Sequence, residues 1–106
     1  MPFIDIKDIP ELEPVPGYHG RFLHSEKMTV AFWEIKAGAV MPEHAHPHEQ
    51  VFTVIEGEFE LTIEGEARRC IPGQAAVIQS NIPHSGRAVT PCQVIDIFHP
   101  VREDFK

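Results

Sequence analysis

A chain of 106 residues, 24% of them charged and 42% hydrophobic, is expected to be one soluble globular domain with a single core. Its formal net charge of −7 argues against nucleic acid as a partner, because no basic stripe is present to neutralise phosphates. A small acidic substrate is not excluded, since a divalent metal and one arginine would dominate the local field of a pocket. The opening MPFIDIKDIPELEPVPG has no basic start and no long apolar run, so it is not read as a signal peptide. No stretch is apolar for the roughly 18 residues a membrane span needs. A cytoplasmic protein without membrane contact is expected. Cys70 and Cys92 form no CxxC spacing and read as buried thiols in a reducing compartment.

In chain order, residues 1–20 carry Pro2, Pro10, Pro14, Pro16 and Gly17 and read as an extended arm. Met28 to Ile35 is a β-rich apolar run, and Gln50 to Ile55 is a second. Glu58 to Glu64 alternates, with Phe59, Leu61 and Ile63 facing inward. Glu64-Gly65 turns the chain into a returning strand from Glu66 to Ile71. Pro72-Gly73 turns again before Ala75 to Ile78, and a loop at Asn81-Ile82-Pro83 presents His84. Gln93 to Phe98 is the last strand, and Arg102 to Phe105 forms the tail. About eight short strands at intervals of roughly 8–12 residues mean an all-β domain, an antiparallel β-barrel or jelly roll. Residues 1–37 supply the arm and first strands, and 38–106 the core of that single domain.

Of seven histidines, His44 and His46 stand at i and i+2, which on a strand places both side chains on one face. Gln50 has the same parity, and His84 arrives from a distant segment. Together they would make a metal site with coordination left for water or substrate. The competing readings are scattered surface histidines and, for Gln50, a strand residue hydrogen-bonding water. His48 shares the parity but follows Pro47 and is read as lying outside the ligand set. Glu49 should face away from the ligands. His19, His24 and His99 are read as surface residues, and Glu56 and Glu58 as facing solvent.

These residues resemble a known family. Gly38, His44, His46, Gln50 and Gly57 stand at the spacings of the first cupin motif, with glutamine where glutamate is usual. Gly73, Gln79, Asn81 and His84 are similar to the second motif, with Gln79 for its proline, Asn81 for its glycine and Ala88 for its final asparagine. Asparagine is the next-best residue for left-handed backbone, so that turn survives. The resemblance implies a small β-barrel with a metal in its mouth. Within cupins, HAHPHEQ, VIEGEFELTIEGE, SNIPHSG and VIDIFHPVREDF resemble the KdgF family of pectin degradation. That resemblance implies conversion of 4,5-unsaturated monouronates, released by pectin or alginate lyases, into the linear 5-keto-4-deoxyuronate. By its pattern His44, His46, Gln50 and His84 match metal ligands, while Asp96, Phe98 and Arg102 match residues used at the substrate.

The chemistry suits those roles. Three neutral imidazoles and a neutral amide leave the full charge on one divalent ion per chain, whether zinc, nickel, manganese or iron. Val94, Asp96 and Phe98 share one face of the last strand, and Ile95 and Ile97 the other. A carboxylate between apolar side chains is raised in pKa by burial, which prepares Asp96 as a catalytic acid or base. A structural ion pair with a nearby arginine is the competing reading. Phe98 alone reads as core, and only its neighbours suggest a wall for a sugar ring. Arg102 alone reads as a solvated C-terminal charge; with the resemblance it becomes a catalytic and substrate-binding clamp for a sugar-acid carboxylate. The alternatives are a cupin dioxygenase with a redox metal and a non-catalytic sugar- or metal-binding module. A homodimer is expected, with the arm or an outer sheet face at its interface.

Overall fold

The computed structural model describes residues 2–106, and the alternating runs form ten antiparallel strands among them. These are β1 (Leu12–Val15), β2 (Tyr18–His24), β3 (Thr29–Ile35), β4 (Val40–His44), β5 (Glu49–Glu56), β6 (Phe59–Ile63), β7 (Glu66–Cys70), β8 (Ala75–Ile78), β9 (His84–Ala88) and β10 (Cys92–His99). A six-stranded sheet runs β1-β2-β3-β10-β5-β8, and a four-stranded sheet runs β4-β9-β6-β7. Short 3-10 turns at Ile6–Asp8 and Glu103–Phe105 flank the strands. The sheets enclose one core in a jelly-roll arrangement. Their hydrogen bonding does not close them into the barrel that was the other expected form.

Period-two alternation decides which side chains enter the core. β3 buries Thr29, Ala31, Trp33 and Ile35, while β10 buries Cys92, Val94, Asp96 and Phe98. From the opposing sheet come Phe59, Leu61 and Ala88. Each large side chain among them contributes roughly 1.5–3 kcal/mol on burial. β10 lies between β3 and β5 and is paired along its length with both, so its inward side chains sit at the centre of the sheet. Gly20 occupies an inward position of β2 because the Trp33 indole fills the space beside it. A Cβ there would lie 2.7 Å from the indole ring.

The β6–β7 hairpin turns at Glu64 (φ 50°) and Gly65 (φ 79°), both left-handed, as the two-residue turn requires. Asn81 is also left-handed, at φ 63°, so it does carry the turn that a glycine would. Other expectations need correction. The arm is shorter than residues 1–20, because β1 and β2 begin inside it and Tyr18 is core. β2, β4 and β9 were not legible as strands. Glycines stand at inward positions of β2 and β9, and Pro42 interrupts β4, so the apolar alternation is broken in each. Both cysteines are unpaired, but only Cys92 is buried; Cys70 is half-buried. No helix among the described residues is long and apolar enough to cross a membrane.

Gly57 closes β5 at φ +92°, where a Cβ would strike the Pro91 carbonyl oxygen and lie 2.9 Å from Thr90 Oγ1. Gly57→Ala is therefore expected to cost roughly 2–4 kcal/mol, combining left-handed strain with overpacking. Urea denaturation reads this directly, and an unchanged midpoint would mean that the 90–92 segment yields freely.

Candidate metal centre

His44 ends β4 and His84 opens β9, and the register pairs them directly. His46 lies in the connection after β4, and Gln50 is the second residue of β5, in the other sheet. Shared parity on one strand is thus not what brings these side chains together. They converge because the connection carries the chain from one sheet to the other across the mouth of the fold. The ligand nitrogens of His44, His46 and His84 lie within 4.8 Å of one another.

Each ring is locked by a backbone carbonyl two residues away. His44 Nδ1 donates to Pro42 O at 2.8 Å, His46 Nδ1 to His48 O at 3.0 Å and His84 Nδ1 to Ile82 O at 2.8 Å. That leaves each Nε2 as the lone-pair nitrogen. Burial, with help from the Arg102 charge, lowers the pKa of His46 to about 4; burial also lowers that of His84. Both rings are therefore neutral and ready to ligate near pH 7.

Two further features fit a cation. His84 Nε2 is buried without a partner among the described residues. His46 Nε2 faces Gln50 Oε1 at 3.2 Å, and with Nδ1 carrying the proton this sets two acceptors against each other. The Gln50 amide is oriented by its other end, where Nε2 donates to Asp96 Oδ1 at 2.9 Å. A divalent ion between the lone pairs would remove the repulsion. These residues fit one, and the donor set of nitrogen and neutral oxygen admits several metals. His48 is half-buried beside His46 and lends its carbonyl, not its ring, to the centre.

Asp96 lies behind the ligands and accepts from Gln50 Nε2 and, at 3.0 Å, from Trp33 Nε1. Burial raises its pKa to about 6, and the two hydrogen bonds oppose that rise. Among the described residues it makes no ion pair with an arginine, so the structural ion-pair reading is not met. Arg102 is not a solvated tail charge. It is 8% exposed, with its guanidinium 4.7 Å from the centre of the Phe98 ring and 4.2 Å from that of Phe105. Its backbone N–H donates to the fully buried Thr29 hydroxyl at 2.9 Å. The His24 ring then spans Thr29 and the Phe105 carbonyl, so His24 is a tie between β2 and the tail, not a surface residue. His19 pairs with Glu11 at 3.2 Å, while His99 is exposed as expected.

The ligands, Asp96, Phe98 and Arg102 open on one cavity of about 220 Å³. Most of its remaining wall is apolar, with Trp33, Phe52, Leu61 and Val94 among its residues. Tyr18 also lines it and is 3% exposed, and its hydroxyl has no partner. The Met41 amide is near this hydroxyl but does not meet hydrogen-bond geometry. Trp33 and Thr29 were missed because each reads as ordinary strand core, and Tyr18 because it falls in the stretch read as an extended arm. Only the inward parity of Trp33 and Thr29 on β3 hinted at the site.

The fold and this centre define the class. The chain belongs to the cupin family, whose Cupin domain profile matches residues 31–98. It is similar to the pectin degradation protein KdgF of Dickeya dadantii (strain 3937), with 39% identity over 70 residues that make up 64% of each chain. The solved structure of KdgF from Halomonas sp. matches with a TM-score of 0.90 at 32% identity, covering 98% of this chain and 99% of that one. The HTH-type transcriptional regulator PuuR of Escherichia coli (strain K12) is 37% identical over 57 residues, 52% of this chain and 31% of PuuR. The chain thus spans between about a third and two thirds of the length of the curated relatives it matches.

His84→Ala removes the orphaned Nε2 and should leave the fold intact, since its ring bonds only to a neighbouring carbonyl. Metal affinity is expected to fall by more than about 100-fold, beyond the loss typical of an outer-shell change. Elemental analysis after dialysis against one equivalent of divalent ion would show it. Wild-type occupancy in the variant would remove His84 from the ligand set.

Proposed function

We propose that this cupin is a metal-dependent enzyme that converts 4,5-unsaturated monouronates to the linear 5-keto-4-deoxyuronate. The observation that carries the reading is one cavity holding a neutral His/Gln centre, a buried carboxylate at Asp96 and a cation at Arg102. The similarity to KdgF, a pectin degradation protein, supports it. So does the cavity size, about 220 Å³, which suits a single ring more than the larger ligands of typical pockets, roughly 300–1,000 Å³.

The reaction is an isomerisation without net oxidation. Opening the hemiacetal breaks the bond from C1 to the ring oxygen, leaving an aldehyde at C1 and an enolate at C5, which ketonises by taking a proton at C4. A bound divalent ion supplies Lewis acidity toward substrate oxygens. Arg102 holds the substrate carboxylate, and Phe98 forms the wall beside the ring. Asp96 accepts the hydroxyl proton released at C1 and returns a proton to C4. Gln50 and Trp33 hold the Asp96 carboxylate in place while it does so.

A non-catalytic ligand-sensing role is the second reading, favoured by the similarity to the regulator PuuR. It is separated by binding without turnover. The proposal includes a homodimer built on the outer face of the larger sheet. There Leu23, Val30, Ile97, Val51 and Val77 form one cross-strand apolar row, and Val77 is 61% exposed. Sedimentation showing a single 12.0 kDa species at micromolar concentration would reject that assembly.

Turnover is followed by loss of the conjugated absorbance of an unsaturated monouronate, corrected for spontaneous conversion. Asp96→Asn is expected to lower turnover by roughly 10²–10⁴-fold with metal content retained. The asparagine leaves one of the Gln50 and Trp33 donors without an acceptor, a stability cost of about 1–3 kcal/mol. Wild-type turnover in this variant would remove Asp96 from the chemistry. Failure of the wild type to exceed the spontaneous rate with pectin- and alginate-derived substrates would end the uronate reading.

A further inference from the structure

Arg102 was expected to meet a substrate carboxylate with its two-pronged fork, yet a carboxylate of this chain already holds one edge of it. Asp104 Oδ1 accepts from Nε at 3.0 Å and Asp104 Oδ2 accepts from Nη2 at 2.8 Å. The pair is lopsided in exposure, with the Arg102 side chain 10% exposed and that of Asp104 58%. Asp104 thus closes the pair from the solvent side. The guanidinium lies near both the Phe98 and Phe105 rings, and its backbone is tied to Thr29. A guanidinium has five N–H donors, and the two-point pair uses two of them. Nη1 makes no hydrogen bond among the described residues, and Arg102 lines the cavity that holds the metal centre.

We propose that Asp104 is a positioning residue for carboxylate recognition. By occupying the Nε/Nη2 edge of Arg102 it leaves the Nη1/Nη2 edge for the carboxylate of a sugar acid. This rests on the uronate reading above and deepens it. The ring faces restrain tilting of the guanidinium plane, but they do not stop it turning within that plane. Only a two-point contact at an edge does that. The hydrogen bonds from Arg102 also hold the Asp104 carboxyl below its usual pKa, so the contact persists through the neutral range. The spacing explains the tail. A two-residue step from Arg102 to Asp104, set in the 3-10 turn at Glu103–Phe105, brings the carboxylate back onto the fork and Phe105 onto the guanidinium face.

The test uses the metal-loaded full chain and two stable probes, D-galacturonate and its uncharged counterpart D-galactose, titrated by calorimetry. The wild type should prefer galacturonate. Asp104→Ala should weaken galacturonate binding by roughly 10- to 100-fold, the effect of misaligning a two-point charged contact, and leave galactose affinity unchanged. Asp104→Asn, which keeps one acceptor oxygen, should fall between them and decides the matter if the alanine variant does not fold. Galacturonate affinity equal to or tighter than wild type in the Asp104 variants would overturn the proposal and leave the uronate reading standing, with Asp104 a competitor for the fork. Equal losses for both sugars would also overturn it, as general damage to the cavity. A wild type without preference for galacturonate would overturn the uronate reading together with this one.

Discussion

A carboxylate buried at the centre of a sheet must find donors, and the way Asp96 finds them organises this molecule. Its strand, β10, is flanked by β3 and β5, and each neighbour supplies one N–H: the Trp33 indole from one side and the Gln50 amide from the other. Without them the group would be an unpaired buried acid, a large penalty for a domain of this size. Satisfying Asp96 uses up the donor end of Gln50. The carbonyl end of that amide is then turned toward His46, so the choice of donors for Asp96 also sets how Gln50 faces the histidine cluster. A glutamate at position 50 would place a second carboxylate against the first, which gives a physical reason for the amide in this variant of the motif.

The candidate metal centre gains its order from backbone. Three carbonyls, each two residues from its histidine, take the Nδ1 protons and fix the tautomer before any ion arrives. Because His44 and His84 are opposite each other in the β4–β9 ladder, strand pairing alone brings two candidate ligands together. Burial keeps His46 and His84 neutral, so little proton release is needed at neutral pH. The apolar side of the cavity adds to this by excluding water, which strengthens every electrostatic contact within it.

The C-terminal tail completes the site by a chain of small contacts. The Thr29 hydroxyl accepts from the Arg102 backbone and meets His24 Nδ1 at 2.8 Å, while His24 Nε2 reaches the Phe105 carbonyl. One assignment satisfies all three groups, with the hydroxyl donating to Nδ1 and Nε2–H donating to the carbonyl. Phe105 is thereby brought against Phe22, with ring centres 4.3 Å apart, and shields the guanidinium. A segment lacking strand pairing is held in this way by one buried hydroxyl, one imidazole and an aromatic stack.

The sequence by itself determined much of this. Alternation in 58–64 and 93–98 specified which faces are buried, because strand side chains alternate whatever surrounds them. The histidine spacing and the motif resemblance picked out residues that the structure gathers around one cavity. Where alternation is broken, as at Gly20 and Gly86 on inward positions or at Pro42, the strands were invisible, since a glycine that makes room for Trp33 or Phe59 has no apolar side chain to count. The tertiary structure alone decided that His44 and Gln50 meet from two different sheets, with His46 from the connection between them, and not along one strand. It also decided that Trp33 serves a carboxylate, and that the Arg102 fork is already held by Asp104. Each of these is a contact between side chains whose local patterns read as core, loop or surface, and only the packing of distant segments turns them into partners.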